Sequence, residues 1–211
     1  MPFIAQQVKS ARLHLQKSDP VMKVLLNHHG PFTAKAKTDR FGTLVSSIIS
    51  QQISTAAAAT IKLRLHQAIM DKAKVNKLPT LTAEHLQQFD LDSFRELGIS
   101  RQKATYLLDL ADKVGAGVVE LHKMGRMSDD EIIEQLIQIK GIGRWTAQMF
   151  LIFSMARMDV LPVDDLGIKN AVQRQYGLEQ LPNASQIEQL AEPWRPYATI
   201  ASWYLWRSLE G

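Results

Sequence analysis

Apolar residues recur at three- and four-residue intervals along most of this chain, and no stretch alternates apolar and polar residues with the two-residue period of a half-buried strand. That periodicity points to an all-α fold. Helices are expected near 5–17, 19–28, 42–70, 83–88, 92–96, 100–114, 129–137, 144–157, 166–175, 184–192 and 196–208. Ser93–Glu96, Ser128–Glu131 and Ser185–Glu188 have capping-box spacing, in which Ser and Glu satisfy each other's free backbone N–H groups. Asp19 and Ser100 suit N-caps, and Gly30-Pro31 and Gly177 read as stops. The connections are short, with no linker, repeat or low-complexity tract. At 211 residues the chain can bury a sizeable core.

Composition removes whole classes of chemistry. Cysteine is absent, which excludes disulfides, thiolate zinc sites, cysteine-ligated iron–sulfur clusters and cysteine nucleophiles. The histidines at 14, 28, 29, 66, 85 and 122 form no His-x-x-x-His pair, so no metal site is expected. No apolar run of about 18 residues exists to span a membrane. Met1-Pro2-Phe3-Ile4 lacks the basic-then-apolar layout of a signal peptide, and the absence of cysteine fits a cytoplasmic protein. Lys and Arg number 25 against 21 Asp and Glu, a net +4 that draws only mildly toward a polyanion. Residues 1–40 concentrate Lys9, Arg12, Lys17, Lys23, Lys35, Lys37 and Arg40 against Asp19 and Asp39; this is either a solvated basic face or part of a polyanion-facing surface.

The most informative segment runs from Leu136 to Ala147: Leu-Ile-Gln-Ile-Lys-Gly-Ile-Gly-Arg-Trp-Thr-Ala. One helix ends, two glycines bracket Ile142, and a second helix begins near Arg144. Glycine permits turn conformations closed to other residues and lets another backbone come close, while Ile142 can plug into the core. The new helix presents unpaired N–H groups and a partial positive charge, which suits a phosphate. Lys140 and Arg144 flank that position. A Gly-x-Gly turn between helices is weak evidence by itself; the whole pattern matches a helix–hairpin–helix, which holds a DNA backbone without reading sequence.

Downstream comes Val160-Leu161-Pro162-Val163-Asp164-Asp165-Leu166-Gly167, where two aspartates stand at a new helix start. In isolation the pair reads as an N-cap.

A hairpin followed at this distance by Val-Asp and a helix resembles the helix–hairpin–helix DNA glycosylase superfamily, and within it the alkylation-repair branch of the DNA-3-methyladenine glycosylase II type. The similarity runs from about residue 19 to the C-terminus. It includes Asp19-Pro20-Val21, Ile48-Ile49-Ser50-Gln51-Gln52-Ile53-Ser54, Leu97-Gly98-Ile99-Ser100-Arg101-Gln102-Lys103-Ala104 and Gly141-Ile142-Gly143-Arg144-Trp145-Thr146-Ala147.

The resemblance implies base-excision repair by a monofunctional enzyme that flips an alkylated purine, hydrolyses its N-glycosidic bond and leaves an abasic site. Asp165 would be the catalytic aspartate, its ionised form favoured by the helix start, with Asp164 capping the helix or supporting the loop. Lys140, Gly141, Ile142, Gly143, Arg144 and Thr146 would meet the DNA backbone. Bifunctional relatives carry a lysine where Trp145 stands, and an indole cannot form an imine. Trp145, Met149 and Trp206 would line the base pocket, where an aromatic face attracts a cationic methylated base. Met149 departs from an aromatic in a relative. Trp194 and Trp203 read as core. Gln52, between Gln51 and Ile53, would be the wedge that fills the gap in the stack, with Gln51 the other candidate.

Two helical lobes are implied, 36–157 with the hairpin and 1–35 joined to 158–211, with a DNA-binding cleft and the active site between them. The N-terminal sheet domain of some relatives is expected to be missing, since few residues precede Asp19. The resemblance implies double-stranded DNA containing damaged bases as the partner, a monomer, a cytoplasmic place (nucleoid-associated in a bacterium, nuclear in a eukaryote), and no cofactor beyond an optional monovalent cation at the hairpin carbonyls. Two alternatives stay open: a non-catalytic helix–hairpin–helix DNA-binding protein, and a glycosylase for deaminated or etheno purines.

Overall fold

The computed structural model describes residues 3–77 and 79–210; Met1 and Pro2, part of the stretch read against a signal peptide, lie outside them. The described residues form α-helices and short 3₁₀ turns with no strand, so the all-α expectation holds. Among them no helix is long and apolar enough to cross a membrane. In chain order the helices are α1 (Ala5–Ser18), α2 (Pro20–His28), α3 (Arg40–Ser50), α4 (Thr55–Ala73), α5 (Ala83–Gln87), α6 (Leu91–Glu96), α7 (Arg101–Gly115), α8 (Asp129–Leu136), α9 (Arg144–Phe153), α10 (Leu166–Gln175), α11 (Ala184–Ala191) and α12 (Ala198–Arg207).

Several starts follow the chemistry expected of them. Ser128 and Glu131 form the capping box of α8, Asp19 caps α2 through the N–H groups of Val21 and Met22, and Ser100 caps α7. Two expected boxes are corrected. Helix α6 starts behind Asp90, whose carboxylate accepts the Ser93 N–H at 2.8 Å. Helix α11 starts behind Asn183, boxed with Gln186. In both cases an Asx side chain just upstream caps as well as serine does and adds residues to the first turn.

The helix expected at 42–70 is also corrected: it breaks at Gln51–Ser54 into α3 and α4. Helix α9 stops at Phe153 rather than 157, closed by left-handed Ala156 (φ 52°) and a bond from the Arg157 N–H to the Leu151 carbonyl at 3.1 Å.

The chain divides into two units. The first takes in residues up to Thr38 and from Leu151 on. Its core joins Leu15, Met22, Leu26, Ile168, Val172 and Trp194 to Tyr204 and Leu205 of α12. The buried Asp19 is its polar pivot: besides capping α2 it accepts from the Tyr176 hydroxyl at 2.6 Å and the Trp194 indole at 2.8 Å. The second unit, Asp39–Phe150, buries Leu44, Ile48, Leu65, Phe94, Leu107 and Leu136, with Phe89 stacked on Phe94.

Candidate active site and hairpin

The link between α8 and α9 is the hairpin, and helix α7 builds it. Ile142 is buried, and its N–H donates to the Ile139 carbonyl at 3.0 Å. Gly141 has φ 80°, and a Cβ there would overlap the Tyr106 ring of α7. Both facts demand glycine. One turn further along α7, Asp109 accepts the Lys140 backbone N–H at 2.8 Å and the Lys113 ammonium at 2.7 Å; Lys113 also donates to the Gln138 carbonyl at 2.6 Å. Burial alone would raise the Asp109 carboxyl, but these donors and the charges of Lys113 and Lys140 hold it below the ordinary aspartate range.

The outer side of the hairpin differs. Gly143 is exposed, and a Cβ there would meet nothing within 4 Å. Arg144 is exposed beside it, and the Lys140 ammonium lies 3.8 Å from Asp109 Oδ1. Thr146 is buried. Trp145 is 49% exposed, so it is no core residue, and Met149 is half-buried. The Gln138 and Gly141 carbonyls each accept one side-chain bond, from Lys113 and Gln51.

The break between α3 and α4 sits beside the hairpin. Gln51 donates its side-chain amide to the Gly141 carbonyl at 2.7 Å. Gln52 is exposed and left-handed, with φ 54°. Ser54 caps α4 by accepting the Ala57 N–H. The ammonium of Lys103 on α7 donates to the Ile49 carbonyl at 2.8 Å and the Gln51 carbonyl at 2.6 Å, satisfying acceptors that the end of α3 leaves open. Burial lowers the Lys103 amine from its usual value.

Asp165 is half-buried at the N-cap of α10. Its Oδ1 accepts the Ile168 N–H at 2.8 Å and the indole N–H of Trp206 at 2.9 Å. Phe153 lies beside Trp206, ring centroids 6.1 Å apart. Gly167 makes room for this arrangement: a Cβ there would stand 2.9 Å from Asp165 Oδ1 and 3.1 Å from Trp206 Cδ1. The capping role expected of Asp164 is corrected, because Asp165 itself is the cap. Asp164 is exposed and pairs with Lys169 at 3.6 Å. Trp194 is fully buried, while Trp203 is half-buried, edge-on to Phe32 and Tyr204.

The structure thus brings together Asp165 and Trp206, and separately Gln51 and the hairpin. Residues that the sequence reading gave no role are Gly167, Phe153, Tyr106, Asp109 and Lys113; Lys103 appeared only inside a matching stretch. The spacing 103, 106, 109, 113 traces one face of α7, a signal present in the sequence but shared with any amphipathic helix.

Residues 45–196 match the model of the HhH-GPD superfamily base excision DNA repair proteins. The chain belongs to that superfamily. It is 32% identical over 209 residues to DNA-3-methyladenine glycosylase 1 of Schizosaccharomyces pombe, covering 97% of this chain and 89% of that one. A structure of the 3-methyladenine DNA glycosylase of that yeast with abasic DNA superposes with a TM-score of 0.81, at 32% identity over 96% of this chain and 97% of that one. A DNA-3-methyladenine glycosidase from Bacillus halodurans superposes with a TM-score of 0.83, at 30% identity over 94% and 88% of the two chains.

Proposed function

We propose that this superfamily member is a monofunctional DNA glycosylase that removes alkylated purines of the 3-methyladenine and 7-methylguanine type from double-stranded DNA. The observation that carries the reading is the carboxylate of Asp165, held at a helix start by a backbone N–H and an indole N–H.

Methylation at adenine N3 or guanine N7 makes the base cationic. When its C1′–N bond breaks, the bonding pair leaves with the base, which departs neutral and needs no protonation. Positive charge grows on the sugar instead, and a fixed carboxylate beside C1′ stabilises it. Water then forms the new bond at C1′ and gives up a proton, with Asp165 as acceptor or orienter. Trp206, bonded to Asp165, offers the flipped base an aromatic face, which favours the cation over its neutral parent by about 0.5–2 kcal/mol. Trp145 stands where a strand-cutting enzyme of this superfamily carries its amine, so the product is an abasic site with the strand intact.

The hairpin holds the backbone through the N–H groups of Gly141, Gly143 and Thr146, flanked by Lys140, Ile142 and Arg144. Gln52 fills the space that the flipped base vacates, and Gln51 braces it from behind. The test is incubation of the protein with methylated duplex DNA and chromatography of what is released. Free 3-methyladenine or 7-methylguanine with unbroken strands is expected. DNA binding without release of any base would favour a non-catalytic binding protein instead.

A further inference from the structure

The turn at Gln51–Ser54 and the hairpin at 137–143 lie almost ninety residues apart in sequence, yet one linked set of bonds fastens both. Gln51 is the shared member. Its carbonyl accepts from Lys103 at 2.6 Å, and its side-chain amide donates to the Gly141 carbonyl at 2.7 Å. Lys103 also holds the Ile49 carbonyl at 2.8 Å. One turn along α7, the Tyr106 ring lies against Gly141. The residue immediately after Gln51 is Gln52, exposed and held at φ 54°, a conformation that non-glycine residues seldom adopt unless their surroundings impose it.

We propose that Lys103 is a positioning residue for base extrusion: its ammonium locks the Gln51–Gln52 turn in register with the hairpin, so that Gln52 enters the DNA stack at a fixed distance from the phosphates the hairpin grips. The inference rests on the glycosylase reading above, because a wedge has work to do only if a base is flipped.

The chemistry suits the task. A helix end leaves carbonyls unsatisfied, and an ammonium answers two of them at once with charge-assisted bonds. The amine is itself half-buried and its charge is partly desolvated, which strengthens those bonds and removes it from the role of a solvated phosphate contact. A wedge on a loose turn would lose its advantage, since opening a stack costs a few kcal/mol that only a preplaced side chain repays.

The test compares wild type, Lys103→Met, Lys103→Arg and Gln51→Met. Each is titrated against two duplexes of one sequence, one undamaged and one carrying a tetrahydrofuran abasic analogue, with 2-aminopurine opposite the analogue to report unstacking. Lys103→Met is expected to lower the ratio of the two affinities about tenfold and to diminish the 2-aminopurine signal. Lys103→Arg, which can still donate to both carbonyls, should restore most of both. Gln51→Met leaves the ammonium in place and should lower the ratio in the same direction, which keeps the proposal testable if Lys103→Met does not fold. An equal loss on both duplexes would make Lys103 a phosphate contact and overturn the proposal, as would an unchanged ratio. If wild type itself shows no preference for the abasic analogue and no 2-aminopurine signal, the glycosylase reading fails along with it; if wild type discriminates and the variants match it, only this inference fails.

Discussion

The indole N–H of Trp206 donates to Asp165 Oδ1 at 2.9 Å, and that oxygen also receives the Ile168 N–H at 2.8 Å. One oxygen therefore serves as helix cap and as anchor for the aromatic ring. The carboxylate cannot swing without breaking two bonds, so it is set before substrate arrives, as electrostatic stabilisation of a developing cation requires.

Trp206→Phe keeps an aromatic face and deletes the donor. A hydrogen bond to a charged group contributes about 1.5–3 kcal/mol, so base release should fall about tenfold or more. Single-turnover kinetics with thermal unfolding will separate this from lost stability. An unchanged rate would reduce Trp206 to a stacking surface.

Gly167→Ala reverses the usual expectation for a helix. Alanine should gain about 1 kcal/mol by propensity, yet its Cβ would stand 2.9 Å from Asp165 Oδ1 and 3.1 Å from Trp206. The carboxylate and indole must then shift by tenths of an ångström. Stability close to wild type with a rate lowered about tenfold is the expected combination, given how steeply rate follows placement.

The two hairpin glycines should separate folding from binding. Gly141→Ala meets the Tyr106 ring at a left-handed φ and should destabilise by about 2 kcal/mol or more. Gly143→Ala meets no protein atom within 4 Å, so its melting temperature should stay near wild type. Its cost appears only when a DNA phosphate must come close, as weakened binding in a fluorescence anisotropy titration. Equal loss of stability in both variants would contradict this assignment.

Asp109 makes the hairpin sensitive to acid. Its folded carboxyl lies below the ordinary range, so its contribution is complete above an unfolded value of about 3.9 and disappears as pH falls through the folded one. Asp109→Asn should be about 1 kcal/mol less stable than wild type at pH 7, a figure reduced for the partial exposure of Lys113 and Lys140. Denaturant unfolding should show that gap closing below about pH 4. A gap independent of pH would mean that the charge of Asp109 is not what holds Lys140 and Lys113.

What could be read from the sequence follows from where each signal resides. Caps such as Ser128 and Asp19, and the plug Ile142 between two glycines, are local, so residue type and spacing suffice. The break in the expected 42–70 helix is only partly local: Ser54 caps α4, but the α3 carbonyls are satisfied by Lys103, fifty residues away, and alanine-rich sequence on the far side conceals the break. The Asp164–Asp165 pair shows the same limit. Either could cap α10, and the choice is made by Trp206, contributed from α12. The requirement for Gly167 is hidden for the same reason, since it comes from the Asp165 carboxylate and the indole that Trp206 brings to it.

Base release by this protein is proposed to depend on the Asp165 carboxylate. Asp165→Asn tests it most directly, because asparagine caps a helix as well as aspartate and its amide oxygen can still accept both N–H groups. The fold should therefore survive within about 0.5 kcal/mol. The measurement is the single-turnover rate of 7-methylguanine release from methylated duplex, with affinity for abasic-site DNA determined in parallel. A rate lowered about a hundredfold or more, with abasic-site binding retained, is expected. Release at the wild-type rate by the folded variant would contradict it.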